Sequence, residues 1–258
     1  MGFSHRASTR AKARKLGIAQ DVADDIKAAV ANADIVVLAT PICTFEEVFA
    51  QIADSLPDGC IVTDVGSTKV LSHKWAKKLL PARVQYVGSH PIAGSEQRGV
   101  EFARDDLFVG ADCILTAANN TDKNSVETLK QFWSALGCRV TTMAPSKHDK
   151  LLASVSHLPH VAAAALLNAN STADLKMAGK GFIDTSRVAS GPANIWTDIL
   201  LTNADNICRS IDRLSSQLKR LQTAIKNRDQ KQIEKLLEAA RSKRAALIEE
   251  KLKKKDIL

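Results

Sequence analysis

The sequence predicts an α/β domain built on a mainly parallel sheet, followed by an all-helical domain. Short apolar runs of strand length alternate with amphipathic stretches of helix length through the first half of the chain. After about residue 146 no strand candidate remains, and the last two long segments carry apolar residues at helical spacing. The expected domains are therefore 1–146 and 147–258.

The elements follow in order. ADIVVLATP reads as a buried strand ending at Pro41, and TFEEVFAQIADSL as a helix opened by a capping box of Thr44 and Glu47. GCIVTDVGS is a second strand, and TKVLSHKWAKKLL the helix after it, with Ser67 a natural N-cap. RVQYVGSHP is a third strand. ADCILTA and CRVTTMA are two more, with the helical DKNSVETLKQFWSAL between them. Strands separated by helices of this length imply βαβ units. Beyond 146, residues 146–169, 192–225 and 229–252 all read as helical. Leu214, Leu218, Leu221 and Ile225, then Ile233, Leu236, Leu237 and Ala240, form stripes suited to a partner helix or subunit.

Composition narrows the function. The 258 residues are 45% hydrophobic and 25% charged, as in a soluble globular protein with a sizeable core. No stretch approaches the roughly 18–20 uninterrupted apolar residues of a membrane span. The start, MGFSHRASTRAKARK, lacks the apolar core of a signal peptide. Five scattered cysteines without a C-x-x-C pair indicate neither zinc nor disulfides, and read as small core residues in a reducing, cytoplasmic compartment. Much of the net charge of +8 lies in RSKRAALIEEKLKKKDIL, a run that reads as the solvated face of a terminal helix. With three Trp, one Tyr and no basic–aromatic interleaving, nucleic-acid binding is not expected.

Ligands of open α/β sheets bind beyond the carboxyl ends of the strands. Three motifs fall there: Thr40-Pro41, Asp64-Val65-Gly66-Ser67 and Ser89-His90-Pro91. Taken singly, Ser67 also reads as a helix cap and His90 as a satisfied buried histidine. In SHLPH, His157 and His160 share a helical face without an evident third metal ligand, and Pro159 between them marks a kink. GKGFIDTSRVASGPANIW places Asp184, Arg187 and Trp196 in a glycine-broken loop able to fold over a ligand.

DVGSTK, GSHPIAGSE, VSHLPH and GFIDTSRVASGPANIW, in this order, resemble the prephenate/arogenate dehydrogenases of tyrosine biosynthesis, and the resemblance covers nearly the whole chain. It implies a Rossmann-like domain followed by an all-α dimerisation domain, and a homodimer. It also implies oxidation of a small cyclohexadienol with a nicotinamide cofactor and loss of CO2. His90 is then the proton acceptor, and Ser67 orients it and the substrate. Ser95 and Glu96 border the pocket, His157 and His160 enter it from the helical domain, and Arg187 pairs with the ring carboxylate. Asp184 and Trp196 lie around the same pocket.

One departure stands out: no G-x-G-x-x-G is present. Set against the family, Met1-Gly2-Phe3 lies at the end of the second strand. The Rossmann-like domain is thus expected to be N-terminally incomplete by roughly thirty residues, the usual first strand, glycine loop and helix. At this strand end Ser4, His5, Arg6 and Arg10, with Ser8 and Thr9, suit a 2′-phosphate better than a free ribose. NADP is therefore expected over NAD, with Thr40 and Pro41 also on the cofactor. The alternatives are another β-hydroxyacid-type dehydrogenase and a catalytically impaired fragment acting only as a dimerising module.

Overall fold

A computed structural model describes residues 1–93 and 99–253. Ser95 and Glu96 lie outside the described residues. The chain divides into two compact units, residues 1–207 and 208–258.

In the first unit, α1 (Ala7–Leu16) and α2 (Ile26–Val30) precede β1 (Ile35–Leu38). A 3₁₀ turn, Ile42–Thr44, leads into α3 (Phe45–Ile52). β2 (Ile61–Asp64), α4 (Val70–Leu79) and β3 (Gln85–Tyr86) follow. β1, β2 and β3 pair in parallel, with Ile35 opposite Ile61 and Ile61 opposite Gln85. β4 (Gly88–Ile92), β5 (Asp112–Thr116), α5 (Lys123–Ala135) and β6 (Arg139–Met143) complete the α/β part.

Two sequence expectations change here. The stretch read as one strand, RVQYVGSHP, is two, β3 and β4, separated at Val87, whose N–H donates to the Val62 carbonyl of β2 at 3.1 Å. β4 then pairs antiparallel with β5, His90 opposite Ile114, while β5 and β6 are parallel. His90 therefore sits within a strand rather than just beyond one. The capping box is also absent: the Thr44 hydroxyl donates to the Pro41 carbonyl at 2.7 Å, because the preceding 3₁₀ turn has already drawn it back.

The period of two along β2 separates the cores. Val62 joins Phe45, Phe49, Ile52 and Leu56 on the α3 side, whereas Ile61 joins Val87, Leu115, Leu129 and Trp133 on the α5 side. Cys60, Cys113 and Cys138 are core residues as expected, but Cys43 and Cys208 are exposed.

Past the sheet, α6 (Pro145–Leu152), a π-turn (Ala153–His157) and α7 (Leu158–Asn168) form one helical run. Pro159 has no N–H to return to Val155, and the wider turn immediately before it absorbs that missing bond. By length and composition alone this run is long and apolar enough to cross a bilayer, which a count of uninterrupted apolar residues did not register. It buries His148, Asp149, His157 and His160 within the unit, while Leu151 and Val155 stay exposed. α8 (Thr172–Leu175), α9 (Lys180–Ser186), a 3₁₀ turn (Arg187–Ser190) and α10 (Ala193–Thr202) follow. The anticipated glycine-broken loop is thus mostly helical. The sequence boundary at 146/147 falls inside the first unit, at the start of α6, because that helix packs against α4 and β5.

α11 (Ala204–Lys226), from Cys208 onward, and α12 (Gln230–Lys253) supply the second unit. The turn between them places Arg228 at φ 53°, in the left-handed region. Within the stripes, Leu214, Leu221, Ile233 and Leu236 are half-buried, while Leu218, Ile225 and Leu237 stay exposed.

Gly88 shows how tightly β4 is fitted. A Cβ there would lie 2.5 Å from Thr116 Oγ1 and 2.9 Å from Lys69 Cδ, so only glycine lets the lysine stem cross the strand. Gly88→Ala is expected to destabilise the protein by about 1–3 kcal/mol, the cost of an overpacked core. Urea unfolding measures it, and an unchanged midpoint would refute the close fit.

Candidate active site

The site grows from the carboxyl end of β2. Asp64 is fully buried and accepts hydrogen bonds from Gly66 N–H at 2.9 Å, Tyr86 O–H at 2.9 Å and Ser89 N–H at 3.2 Å. It also binds the ammonium of Lys69, itself wholly buried. Burial pulls Lys69 below its ordinary pKa, while Asp64 and, more weakly, Asp149 oppose that shift. Such a pair contributes little net stability, but removing one partner strands the other charge at roughly 3–5 kcal/mol. Its effect here is to tie β2, β4 and the start of α4 together.

The cap of α4 differs from the sequence reading. Ser67 is half-buried and does not cap the helix. The Asp149 carboxylate of α6 takes both leading N–H groups, Lys69 N on Oδ1 and Val70 N on Oδ2, each at 2.8 Å. Oδ1 also meets His148 Nδ1 at 2.8 Å, and His148 Nε2 lies 2.9 Å from His90 Nδ1. All three side chains are buried. The orienting contact expected from Ser67 thus comes from His148; among the described residues no hydrogen bond joins Ser67 to His90. Burial, then Lys69 and the imidazoles of His148 and His157, hold His90 well below the usual histidine range. It is a neutral imidazole at physiological pH, as a proton acceptor requires.

The SHLPH histidines lie nearby. Asn203 Nδ2 donates to the Asp149 carbonyl at 2.8 Å and meets His157 Nδ1 at 3.3 Å. Nδ1 is thereby the acceptor and Nε2 carries the proton, yet Nε2 is buried with no protein partner. His160 Nδ1 is likewise buried and unmatched. Each of these atoms has room in its hydrogen bonding for a water or a ligand. The His160 ring stacks on Trp196 with centroids 3.5 Å apart and planes 8° apart, and Gly191 leaves the room: a Cβ there would fall 2.7 Å from Trp196 Cδ1. The 3₁₀ turn beginning at Arg187 packs on α7, with Arg187 itself exposed. Asp184 is exposed on α9 and makes no hydrogen bond among the described residues.

The cofactor candidates gather elsewhere in the unit. A cleft of about 1110 Å³ runs along β1 and is lined by Ser4, His5, Thr40, Pro41 and Thr44 among others; His90 does not line it. Ser4, His5 and Thr40 offer partners for sugar hydroxyls and a base. The lining has no Lys, Arg or glycine turn, so it fits the ends of a dinucleotide better than its diphosphate. Arg10 is committed to Asp24 at 3.0 Å and to the Ser4 carbonyl at 2.7 Å, holding the strand end rather than facing the cleft. Arg6 is exposed beside it.

His148, Asp149, Lys69 and Asn203 were not singled out from the sequence. A signal for the first two existed, since His148, Asp149, Leu152 and Ala153 recur at the spacing of one buried helical face.

The α/β layer carries a buried, hydrogen-bonded histidine with two further imidazoles that each keep an unpartnered nitrogen, an arrangement suited to acid–base chemistry. Residues 1–142 match the family described as prephenate dehydrogenase, nucleotide-binding domain, and 144–239 the one described as prephenate dehydrogenase, dimerization domain. The chain belongs to the prephenate dehydrogenase family.

It is 34% identical over 242 residues to prephenate dehydrogenase of Bacillus subtilis, covering 91% of this chain and 65% of that protein. It is 35% identical over 227 residues to cyclohexadienyl dehydrogenase of Zymomonas mobilis, covering 85% of this chain and 77% of that one. The chain therefore spans about two thirds of the Bacillus relative's length. Among solved structures, prephenate dehydrogenase from A. aeolicus with hydroxyphenyl propionate and NAD+ superposes with TM-score 0.88 at 32% identity, over 95% of this chain and 88% of that one. Synechocystis arogenate dehydrogenase gives 0.82 at 29%, over 95% and 90%.

Two histidines set an acid limit on the fold. Burial is the main force holding both His73 and His157 down at about 4. The unfolded chain protonates them near 6.5. Between those values the unfolded state binds the additional protons, so stability falls as pH falls, by about 1.4 kcal/mol per pH unit for each histidine. Melting temperature is expected to drop from pH 7 to pH 4.5, with a shallower slope in His73→Gln. A flat profile would contradict the buried, neutral assignment.

Proposed function

We propose that this chain is a nicotinamide-dependent dehydrogenase that oxidises prephenate or arogenate with loss of CO2. The observation that carries this reading is the neutral His90, held by hydrogen bonds beside the buried, unmatched His157 Nε2–H. The family membership and the A. aeolicus complex support it.

A bound nicotinamide supplies the acceptor for the hydride leaving C4 of the ring. His90 takes the proton of the C4 hydroxyl, Ser67 contacts that hydroxyl, and the resulting ketone draws the electrons of the departing carboxylate into the ring as CO2 leaves. The ring is then a phenolate, which takes back the proton from His90 to become the phenol. His157 donates to a substrate oxygen, and Trp196 with His160 walls off water. Arg187 meets the ring carboxylate, with Asp184 at the edge of this region. Ser4, His5, Arg6, Thr40 and Pro41 hold the cofactor, with Arg10 fixing the strand end. The Ser4 hydroxyl and the exposed Arg6 beside the cleft favour NADP over NAD. The functional division lies near residue 146, and the exposed Leu218, Ile225 and Leu237 form part of a homodimer interface.

Reduced nicotinamide absorbance, followed with prephenate and arogenate and with each cofactor, tests the activity. His90→Asn is expected to lower kcat by about 10²–10⁴-fold, the range for general acid–base catalysis. Absence of turnover with both substrates and both cofactors would overturn the reading. For the interface, Leu218→Glu with Leu237→Glu is expected to give monomers in sedimentation, and an unchanged dimer would place the contact elsewhere.

A further inference from the structure

We propose that His148 and Asp149 are positioning residues that fix His90 in one tautomer, with the proton on Nδ1 and the accepting lone pair on Nε2. The direction of each hydrogen bond follows from the donors already placed. Asp149 accepts one backbone N–H on each carboxylate oxygen, Lys69 N on Oδ1 and Val70 N on Oδ2. A carboxylate so held is an acceptor, so the contact at 2.8 Å requires a proton on His148 Nδ1. In its neutral form His148 then has its lone pair on Nε2. The 2.9 Å contact to His90 Nδ1 is filled only if His90 supplies the proton. Nε2, on the far side of the His90 ring, is left as the basic nitrogen.

The opposite arrangement holds at His157. Asn203 donates from the same region to the Asp149 carbonyl and toward His157 Nδ1, leaving the proton on Nε2. Residue 149 thus connects, through its carboxylate and its carbonyl, to one imidazole poised to accept and another poised to donate. When His90 Nε2 takes a proton, the imidazolium keeps its Nδ1–H on His148. The added charge is met by a chain that ends on the Asp149 carboxylate, and no proton leaves the chain. The kinetic consequence rests on the dehydrogenase reading above; the tautomer does not.

Two-bond ¹H–¹⁵N correlation spectra of the apo protein at neutral pH test this directly, with His90 assigned by its missing signals in His90→Asn. The expected result is a protonated, pyrrole-type Nδ1 and a pyridine-type Nε2. A proton on Nε2 would overturn the proposal. In Asp149→Asn the two tautomers are expected to mix, with kcat down about 10²-fold, within the span of general-base effects, and KM little changed. A single unchanged tautomer in that variant would remove Asp149 from the role. Should Asp149→Asn not fold, His148→Leu, which leaves the α4 cap in place, serves with the same expected loss of a single tautomer. A correct tautomer in a protein that turns over neither substrate would sink the proposed reaction while leaving this inference standing.

Discussion

The Asp149 carboxylate is the interaction on which the rest of the site depends. It stands where α4 would otherwise present two unpaired N–H groups, so it is held by the helix start and the positive end of its dipole. The same oxygen that accepts Lys69 N–H anchors His148. One buried charge therefore serves as helix cap, as tie between α6 and α4, and as the end of the chain leading to His90. The Lys69–Asp64 pair works beside it, fixing the backbone that α4 starts from.

Much of the architecture was legible. β1, β2 and β5 stand out because each is a short, largely apolar run with buried positions, and α3 and α5 because their apolar residues recur at helical spacing. β4 was not legible as a separate strand. GSHPI contains a glycine and a proline, and its strand character comes from pairing with β5 and from the passage of Lys69 over Gly88. The antiparallel turn it makes has no local signature.

The site was legible in part. His90, His157 and His160 stood out through their motifs, and the fold buries all three within one unit. Ser67 was given the cap because it sits where a cap should sit, and the orienting bond because of the family resemblance. The actual partner is 80 residues away in sequence, and a contact of that range leaves no trace in local pattern. His148 and Asp149 share a helical face with Leu152 and Ala153, but as charged and polar residues they read as the solvated start of an ordinary helix, and the packing of α6 on α4 is what turns them inward. Lys69, a charged residue with no apolar neighbour pattern of its own, gave no hint that it is buried.

That long-range cap bears on how the protein is made. As the chain leaves the ribosome from its N-terminus, β2 and α4 emerge well before residue 149. Until α6 arrives, α4 has an open first turn, and His90 lacks the neighbour that orients its ring. The α/β layer can collapse around Phe45, Phe49 and Val62 at that stage, since those contacts are already in hand. The catalytic region is thus among the last parts of the unit to set during synthesis, closed by the same helix that brings His148.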